Sequence, residues 1–335
     1  MQPSKPHIGT QERHWEYVQS LPNTPINFPR HTVKGSQFYP PLFEFSYACA
    51  GCGETPYIKV LTQLFGERMV IANTTGCSSI YGGNAPVCPY AVNRDGKGPA
   101  WANSLFEDNA EFGLGMRLAQ EINGKDDCVW IIGGDGWAYD IGYGGLDHVL
   151  ASNANINVLV LDSEVYSNTG GQQSKATPFG ATARFCSQGK RTDKKPLGLM
   201  AMQYQTAYVA QVSMGANKAH FLNALQEAQS FNGPSILIAY SPCIAHGVDM
   251  SKCMEEERLA VECGYFPLYR FNPDNQKADK PRLSIDSKAP NGNLKEFLQG
   301  EGRFNAMLKS EDNIAQAERE TLKQYEYLKK LSDIL

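Results

Sequence analysis

The sequence predicts an α/β fold in which a mostly parallel sheet is flanked by helices. Short apolar runs of the kind found in buried strands alternate with stretches of helical spacing between residues 46 and 271. Such alternation is the pattern of successive βαβ units. The chain has 335 residues, of which 42% are hydrophobic and 20% charged, so it can bury a sizeable core.

Residues 1–45 are predicted to form an extended N-terminal arm. Aromatic side chains suit an arm that packs on another surface, whereas prolines interrupt helices by removing a backbone donor. The prolines of this segment are Pro3, Pro6, Pro22, Pro25, Pro29, Pro40 and Pro41.

The central domain, residues 46–271, is predicted to contain the sheet. Its strands are expected at 69–72, 128–132, 157–161 and 235–240, and its helices at 55–65, 103–122, 145–152, 200–212 and 217–230. Residues 76–100 and 163–198 are predicted loops. The second of these is rich in Gly, Ser, Thr and Gln, and loops of that length usually carry function.

The C-terminal segment, residues 272–335, is predicted to be a linker followed by a helical extension. Residues 272–302 are polar, as in a linker, while 304–335 place apolar residues at helical spacing among Glu and Lys. We expect this amphipathic helix to dock on a partner.

Composition argues against several classes of partner. The formal net charge is −4 and basic residues occur only in brief pairs, so a nucleic-acid partner is not expected. No apolar run approaches the roughly 20 residues needed to span a bilayer. The first residues lack the apolar stretch of a secretory signal, so we expect a cytoplasmic protein whose nine cysteines are mostly reduced.

A glycine-flanked acid follows the strand expected at 128–132. Gly134 and Gly136 let the backbone approach a diphosphate, and Asp135 between them supplies a hard oxygen for Mg²⁺. Ser163 ends the next strand, and with a carbonyl of the Glu164–Val165 turn it could complete the metal site. The alternative is an ordinary strand-end turn capped by an aspartate.

Four cysteines form a second candidate site. The pair Cys49 and Cys52 has C-x₂-C spacing, and Cys77 and Cys243 each follow a predicted strand. Such a set fits either an iron–sulfur cluster or a structural zinc, although zinc sites usually contain a second close pair. The remaining thiols are expected to be structural; they are Cys88, Cys128, Cys186, Cys253 and Cys263.

The two candidate sites are expected to meet. Open α/β sheets bind ligands outside the carboxyl ends of their strands. Cys77, Asp135, Ser163 and Cys243 all follow predicted strands, so the sequence predicts a combined metal and cofactor site at one edge of the sheet.

Several runs of this sequence resemble the pyruvate:ferredoxin (flavodoxin) oxidoreductases. The resemblance is dense over residues 30–270 and concerns the C-terminal, thiamine-diphosphate-binding portion, equivalent to the β subunit of multi-subunit forms. It implies the thiamine-diphosphate-binding fold. The runs are 43–57 (FEFSYACAGCGETPY), 73–86 (NTTGCSSIYGGNAP), 103–113 (NSLFEDNAEFG), 133–142 (GGDGWAYDIG) and 162–172 (DSEVYSNTGGQ).

The resemblance also implies roles for individual residues. Asn168 would lie near the reacting carbon as a catalytic residue. Ser163 stands where the family commonly has Thr, and its hydroxyl can still coordinate a metal. A [4Fe–4S] cluster would be held by Cys49, Cys52, Cys77 and Cys243, and Mg²⁺ by Asp135, Ser163 and the Val165 carbonyl. Thiamine diphosphate would be lined by Glu54, Cys77, Gly134, Asp135, Gly136, Trp137, Ser163, Glu164, Val165, Tyr166, Ser167 and Asn168.

The implied reaction is oxidative decarboxylation of pyruvate with coenzyme A to acetyl-CoA and CO₂, with single electrons passed to ferredoxin or flavodoxin. A pyrimidine- and pyruvate-binding domain or subunit, a CoA-binding domain and a ferredoxin-like domain are expected partners, assembled as a dimer. One alternative is the β subunit of an oxidoreductase for 2-oxoglutarate, a branched 2-oxoacid or oxalate. Another is a non-catalytic iron–sulfur or zinc scaffold.

Overall fold

The computed structural model describes residues 5–21, 26–84 and 87–335. Parts of the predicted N-terminal arm (1–4 and 22–25) and of the predicted loop 76–100 (85–86) lie outside the described residues. The strands are β1 (Met69–Thr74), β2 (Ala100–Ser104), β3 (Cys128–Gly134), β4 (Asn157–Asp162), β5 (Tyr208–Val212), β6 (Ser235–Tyr240), β7 (Tyr269–Phe271) and β8 (Leu283–Ile285).

Helices separate most of these strands. They are α1 (Gln11–Ser20), α2 (Val33–Ser36), α3 (Thr55–Phe65), α4 (Cys77–Gly83), α5 (Asn109–Ile122), α6 (Tyr143–Ala151), α7 (Leu197–Met202), α8 (Lys218–Ser230), α9 (Cys253–Glu262), α10 (Leu294–Gly300) and α11 (Glu311–Ser332). A π-helical turn, Gly136–Ile141, connects β3 to α6. Among the described residues, none of the helices has the length and apolar character required to cross a bilayer.

The strands form one sheet in the order β2-β1-β3-β4-β6-β5-β7-β8. The first six in this order run parallel, and β7 and β8 add antiparallel at one edge. The mostly parallel α/β fold predicted from the sequence is therefore confirmed.

The core lies on both faces of the sheet. Along β4, Val158 and Val160 pack into one apolar cluster, while Leu159 and Leu161 pack into the other. Burial on both faces explains why this strand is a continuous apolar run rather than an alternating one. Because helices cover both faces, the edge formed by the strand ends is left for a ligand site.

The helix predicted at 200–212 is wrong beyond residue 202. Helix α7 ends at Met202, and Gln205 adopts a positive φ of 60° that turns the chain. Residues Tyr208–Val212 then form β5, which pairs with β6 and β7. Aromatic and β-branched side chains buried in a sheet outweigh the local helical spacing.

Two further boundaries differ around the loop predicted at 76–100. Its first part forms α4, which begins at Cys77, and its end belongs to β2. The helix predicted from residue 103 begins instead at Asn109, because Asn103 and Ser104 pair with β1.

The terminal segments are more ordered than the sequence suggests. The N-terminal arm contains α1, which lies in the proline-free stretch between Pro6 and Pro22. The predicted linker contains β8 and α10, and α10 buries Leu294, Phe297 and Leu298. The predicted C-terminal helix is present as α11, and it packs Ile314 and Leu328 against its own chain.

A buried carboxyl group links helix α9 to the sheet. Glu257 is fully buried, and its Oε2 accepts hydrogen bonds from the Tyr57 hydroxyl (3.0 Å), the Ser213 hydroxyl (3.0 Å) and the Gly215 amide (2.8 Å). Burial raises the pKa of Glu257 from 4.5 to about 7. The folded state therefore holds this proton more tightly than the unfolded chain does.

We expect Glu257 to make the free energy of unfolding depend on pH. A raised pKa gives a contribution that is fully present below pH 4.5 and is lost as the pH rises to about 7. Relative to Glu257→Gln, the wild-type chain should lose about 2 kcal/mol between pH 5 and pH 8. Urea unfolding of both proteins across this range measures the difference, and a constant difference would contradict the expectation.

Candidate cofactor and metal site

Four neighbouring parallel strands bring the predicted site residues to one edge of the sheet. In the order β1-β3-β4-β6, Cys77 follows the first strand, Asp135 the second, Ser163 the third and Cys243 the fourth. The registers align these strand ends, since Gly134 is opposite Leu161 and Asp162 is opposite Tyr240.

Three oxygen atoms converge at the floor of this edge. The Ser163 Oγ lies 3.0 Å from the Asp135 Oδ1 and 3.2 Å from the Val165 carbonyl oxygen. Neighbouring ligands of an octahedral Mg²⁺ are about 2.9 Å apart, given metal–oxygen bonds of about 2.0–2.1 Å. Both distances from the Ser163 hydroxyl are therefore close to the spacing of neighbouring magnesium ligands, and carboxylate, hydroxyl and carbonyl oxygens are the hard donors that Mg²⁺ prefers.

The ionisation of Asp135 is expected to depend on a bound cation. Its side chain is almost fully buried, and burial together with the nearby Asp162 holds its pKa well above the usual range. The Ser174 hydroxyl, 2.5 Å from Oδ2, opposes this shift only in part. A divalent cation beside the carboxyl group would favour its ionised form.

A narrow, half-open cleft lies above these oxygens. The cleft is lined by every residue predicted to contact thiamine diphosphate except Glu164. Asn168 is exposed to solvent at its opening. Sequence reasoning missed Phe106, which stacks on Tyr166 with ring centroids 5.9 Å apart. The other lining residues not predicted are Thr75, Gly76, Ser78 and Thr169.

Glu164, predicted to line the cofactor, is not among the residues that line the cleft. Glu164 has a positive φ of 57°, which turns the carboxylate away from the cleft. It accepts hydrogen bonds from Lys194 (2.7 Å), Tyr265 (2.6 Å) and Arg303 (2.6 Å). Although burial opposes ionisation, Lys194 and Arg303 lower the pKa of Glu164 to about 2. No local sequence signal marks these distant partners.

The loop containing Cys49 and Cys52 packs directly against the segment before Cys243. The Gly53 amide donates to the Pro242 carbonyl at 3.2 Å, and a Cβ at Gly53 would lie 2.6 Å from that oxygen. Such close approach requires glycine. Gly53, which directly follows Cys52, therefore holds the loop that contains Cys49 and Cys52 close to Cys243.

The four candidate thiols lie near enough to influence one another electrostatically. Burial, Glu54 and the thiols of Cys243, Cys52 and Cys49 all raise the pKa of Cys77. Burial and Glu54 raise the pKa of Cys52 to about 12, with a smaller contribution from Cys243. Binding to a metal would deprotonate such thiols.

The spacing of these thiols bears on the kind of metal. Within the ranges that the structure describes, no three His, Cys, Asp or Glu side chains are grouped closely enough to hold a single metal ion. A cluster separates its thiolates by irons and sulfides and so needs a wider arrangement than a single zinc does.

Glu54 lies between the thiols and the cleft. It is buried, its Oε2 accepts a hydrogen bond from the Tyr81 hydroxyl at 2.8 Å, and burial raises its pKa to about 7.

Among the five cysteines expected to be structural, Cys128, Cys253 and Cys263 are buried, Cys186 is partly buried and Cys88 is exposed.

Comparisons with known proteins find a matching family and similar sequences. Residues 83–239 match the thiamine pyrophosphate enzyme C-terminal TPP binding domain. The pyruvate:ferredoxin oxidoreductase of Moorella thermoacetica is 47% identical, with 99% of this chain and 35% of that protein covered. A pyruvate-flavodoxin oxidoreductase of Klebsiella pneumoniae is also 47% identical, with 90% of this chain and 32% of that protein covered.

A solved structure supports the fold alone. The 2-oxoglutarate:ferredoxin oxidoreductase of Magnetococcus marinus superposes with a TM-score of 0.52 at 18% identity, covering 81% of this chain and 92% of that chain. This chain spans about a third of the length of the two oxidoreductases above. It corresponds to the C-terminal, thiamine pyrophosphate-binding portion of the pyruvate:ferredoxin (flavodoxin) oxidoreductase family.

Proposed function

We propose that this chain binds thiamine diphosphate, Mg²⁺ and a [4Fe–4S] cluster as part of an enzyme that oxidatively decarboxylates pyruvate. Coenzyme A would accept the acetyl group, and ferredoxin or flavodoxin would accept the electrons. Similarity to pyruvate oxidoreductases along nearly the whole chain supports the reaction. The observation that carries the cofactor assignment is the convergence of the Asp135, Ser163 and Val165 oxygens below the cleft.

The chain's own residues would orient the cofactor. Asp135, Ser163 and the Val165 carbonyl would hold Mg²⁺, and Gly134 and Gly136 would let the backbone approach the diphosphate. Bound thiamine diphosphate supplies the electron sink that a 2-oxo acid needs to lose CO₂. Asn168 at the mouth of the cleft would meet the incoming substrate.

The cluster site would lie beside the cofactor. Cys49, Cys52, Cys77 and Cys243 would be its ligands, and the cluster supplies one-electron transfer. The Ser167 hydroxyl lies 2.8 Å from the Ser163 Oγ, and on its other side it acts to lower the pKa of the Cys243 thiol. This contact would hold the two sites at a fixed separation.

An apolar rim around the cleft supports a covering partner. The side chains of Ile80, Leu105, Ile141 and Ile244 are between 55% and 63% exposed, and they follow β1, β2, β3 and β6 at the same edge of the sheet. Apolar groups left exposed around a cleft are typical of interaction surfaces. We propose that a pyrimidine- and pyruvate-binding domain or subunit covers this rim, with CoA-binding and ferredoxin-like domains completing a dimeric enzyme.

We expect the isolated chain to bind Mg²⁺ and thiamine diphosphate but to turn over pyruvate at less than about 1% of the rate of the assembled enzyme. Half of the site would be missing, and positioning accounts for much of the acceleration by an enzyme. Anaerobic, pyruvate- and CoA-dependent reduction of ferredoxin or flavodoxin measures the rate with and without the partner.

Substantial turnover by the chain alone would contradict the need for a partner. If the assembled enzyme prefers 2-oxoglutarate, a branched 2-oxoacid or oxalate to pyruvate, the proposed substrate is wrong. A chain that binds metal and sulfide but no thiamine diphosphate would instead be a scaffold or an electron-transfer module.

A further inference from the structure

Glu164 lies between the two loop residues that would bind Mg²⁺. Its φ of 57° belongs to the left-handed region, which residues other than glycine rarely adopt. This turn reverses the local direction of the chain, so that the Ser163 hydroxyl and the Val165 carbonyl point to the same place, 3.2 Å apart. The geometry of the metal ligands therefore depends on an unfavourable backbone conformation at Glu164.

Every polar atom of Glu164 has a partner that holds this conformation. The amide donates to the Asp162 Oδ1 at 3.3 Å, and the carbonyl accepts from the Thr177 hydroxyl at 2.7 Å. Lys194 binds one carboxylate oxygen, and Arg303 binds the other. Strained residues persist where surrounding contacts determine them fully, as they do here.

Arg303 comes from the C-terminal segment, outside the sheet. It is 5% exposed, and its guanidinium bridges Glu164 at 2.6 Å and Glu301 at 2.5 Å. Its carbonyl accepts from the Thr182 amide at 2.8 Å, which ties the long polar loop to the same point. The C-terminal segment thus contacts Glu164, between the proposed metal ligands Ser163 and Val165, from the side away from the cleft.

The same segment approaches the proposed cluster loop. His246, three residues after Cys243, lies with its Nε2 2.5 Å from the Ser163 carbonyl and its Nδ1 3.6 Å from the Glu301 carboxylate. Glu301 also accepts from the Tyr240 hydroxyl at the end of β6, at 2.8 Å. The segment that contains Ser163 and Glu164 and the segment that follows Cys243 are therefore joined through the same buried side chains, those of Glu301 and Arg303.

We infer that Glu164 and Arg303 are positioning residues for the magnesium and diphosphate site, and that the C-terminal segment is required for cofactor binding. The inference rests on the proposed function, because it assumes that Ser163 and Val165 bind the metal. Neither side chain touches the cofactor. Their ion pair holds the loop so that the ligand oxygens converge before the metal arrives.

The test uses Glu164→Gln, which keeps the shape of the side chain and removes its charge. Binding of thiamine diphosphate in the presence of Mg²⁺ is measured by calorimetry, and amide hydrogen exchange is measured over residues 163–169. We expect affinity about 10–100-fold weaker, the range typical when a residue supporting a metal ligand is lost. Exchange should rise in 163–169 and not throughout the sheet.

Glu257→Gln is the matched control, since Glu257 is an equally buried glutamate that contacts neither loop. It should leave affinity within about threefold. If Glu164→Gln fails to fold, Arg303→Lys tests the inference instead. Lysine keeps the positive charge but lacks the planar guanidinium that bridges Glu164 and Glu301. We therefore expect this variant to bind thiamine diphosphate about tenfold more weakly.

The results distinguish a failure of the proposed function from a failure of the positioning role. If the wild-type chain binds no thiamine diphosphate with Mg²⁺, the proposed function fails and the inference falls with it. If the wild type binds and the folded variant binds equally well with unchanged exchange at 163–169, the function stands and the positioning role is overturned.

Discussion

Replacing Asp135 by asparagine is expected to weaken binding of Mg²⁺ with thiamine diphosphate at least about 100-fold. The carboxylate is the one charged group among the three converging oxygens, and hard divalent cations depend strongly on carboxylate ligands. Asparagine has nearly the same shape, so the loss would report charge rather than packing. Calorimetric titration with Mg²⁺ and thiamine diphosphate measures it.

The same substitution should not destabilise the cofactor-free chain. Burial and Asp162 already disfavour the ionised form of Asp135, so removing the charge relieves an unfavourable state. The free energy of unfolding should stay equal or rise slightly while affinity falls, as occurs where function and stability conflict. Asp140→Asn, which removes a partly exposed charge paired with Lys175, is the control and should keep its affinity. Equal affinities for both variants would contradict the assignment of Asp135.

Replacing Cys243 by serine is expected to remove the iron–sulfur cluster. Cys243 is far in sequence from the other proposed ligands, Cys49, Cys52 and Cys77, yet it raises the pKa of the Cys77 thiol. Its loss would leave three thiolates for four irons, and iron and acid-labile sulfide per chain should drop severalfold. Anaerobic purification followed by metal and sulfide analysis gives both values.

Cys128→Ser is the matched control for this substitution. Cys128 is buried at the start of β3, at the end of the strand opposite Asp135. Its variant should keep the cluster and lose only some stability. Equal iron contents in the two variants would remove Cys243 from the ligand set, and zinc without sulfide in the wild type would favour the structural-zinc alternative.

Local patterns predict four of the eight strands and the edge that contains the candidate site. The helix at 55–65 matches α3, and the four predicted strands lie within β1, β3, β4 and β6. These strands are buried on both faces, so their apolar runs are unambiguous. Because the polar residue that follows a parallel strand has a fixed place in the fold, Asp135 and Ser163 could be assigned to one edge.

The features that the sequence does not predict depend on distant contacts. Strand β5 resembles a helix locally and forms because β6 and β7 pair with it. Arg303 is 139 residues from Glu164, and nothing near either residue indicates the ion pair. Glu164 is predicted to line the cofactor because it lies between two proposed ligands, whereas its side chain lies outside the cleft.

A crystal structure of the anaerobically purified enzyme with Mg²⁺ and thiamine diphosphate tests the central claim most directly. The account predicts one metal ion bound by Asp135, the Ser163 hydroxyl and the Val165 carbonyl, beside a single cluster held by Cys49, Cys52, Cys77 and Cys243. Density that places Cys243 away from the other three thiols, or the metal away from Asp135, would contradict it.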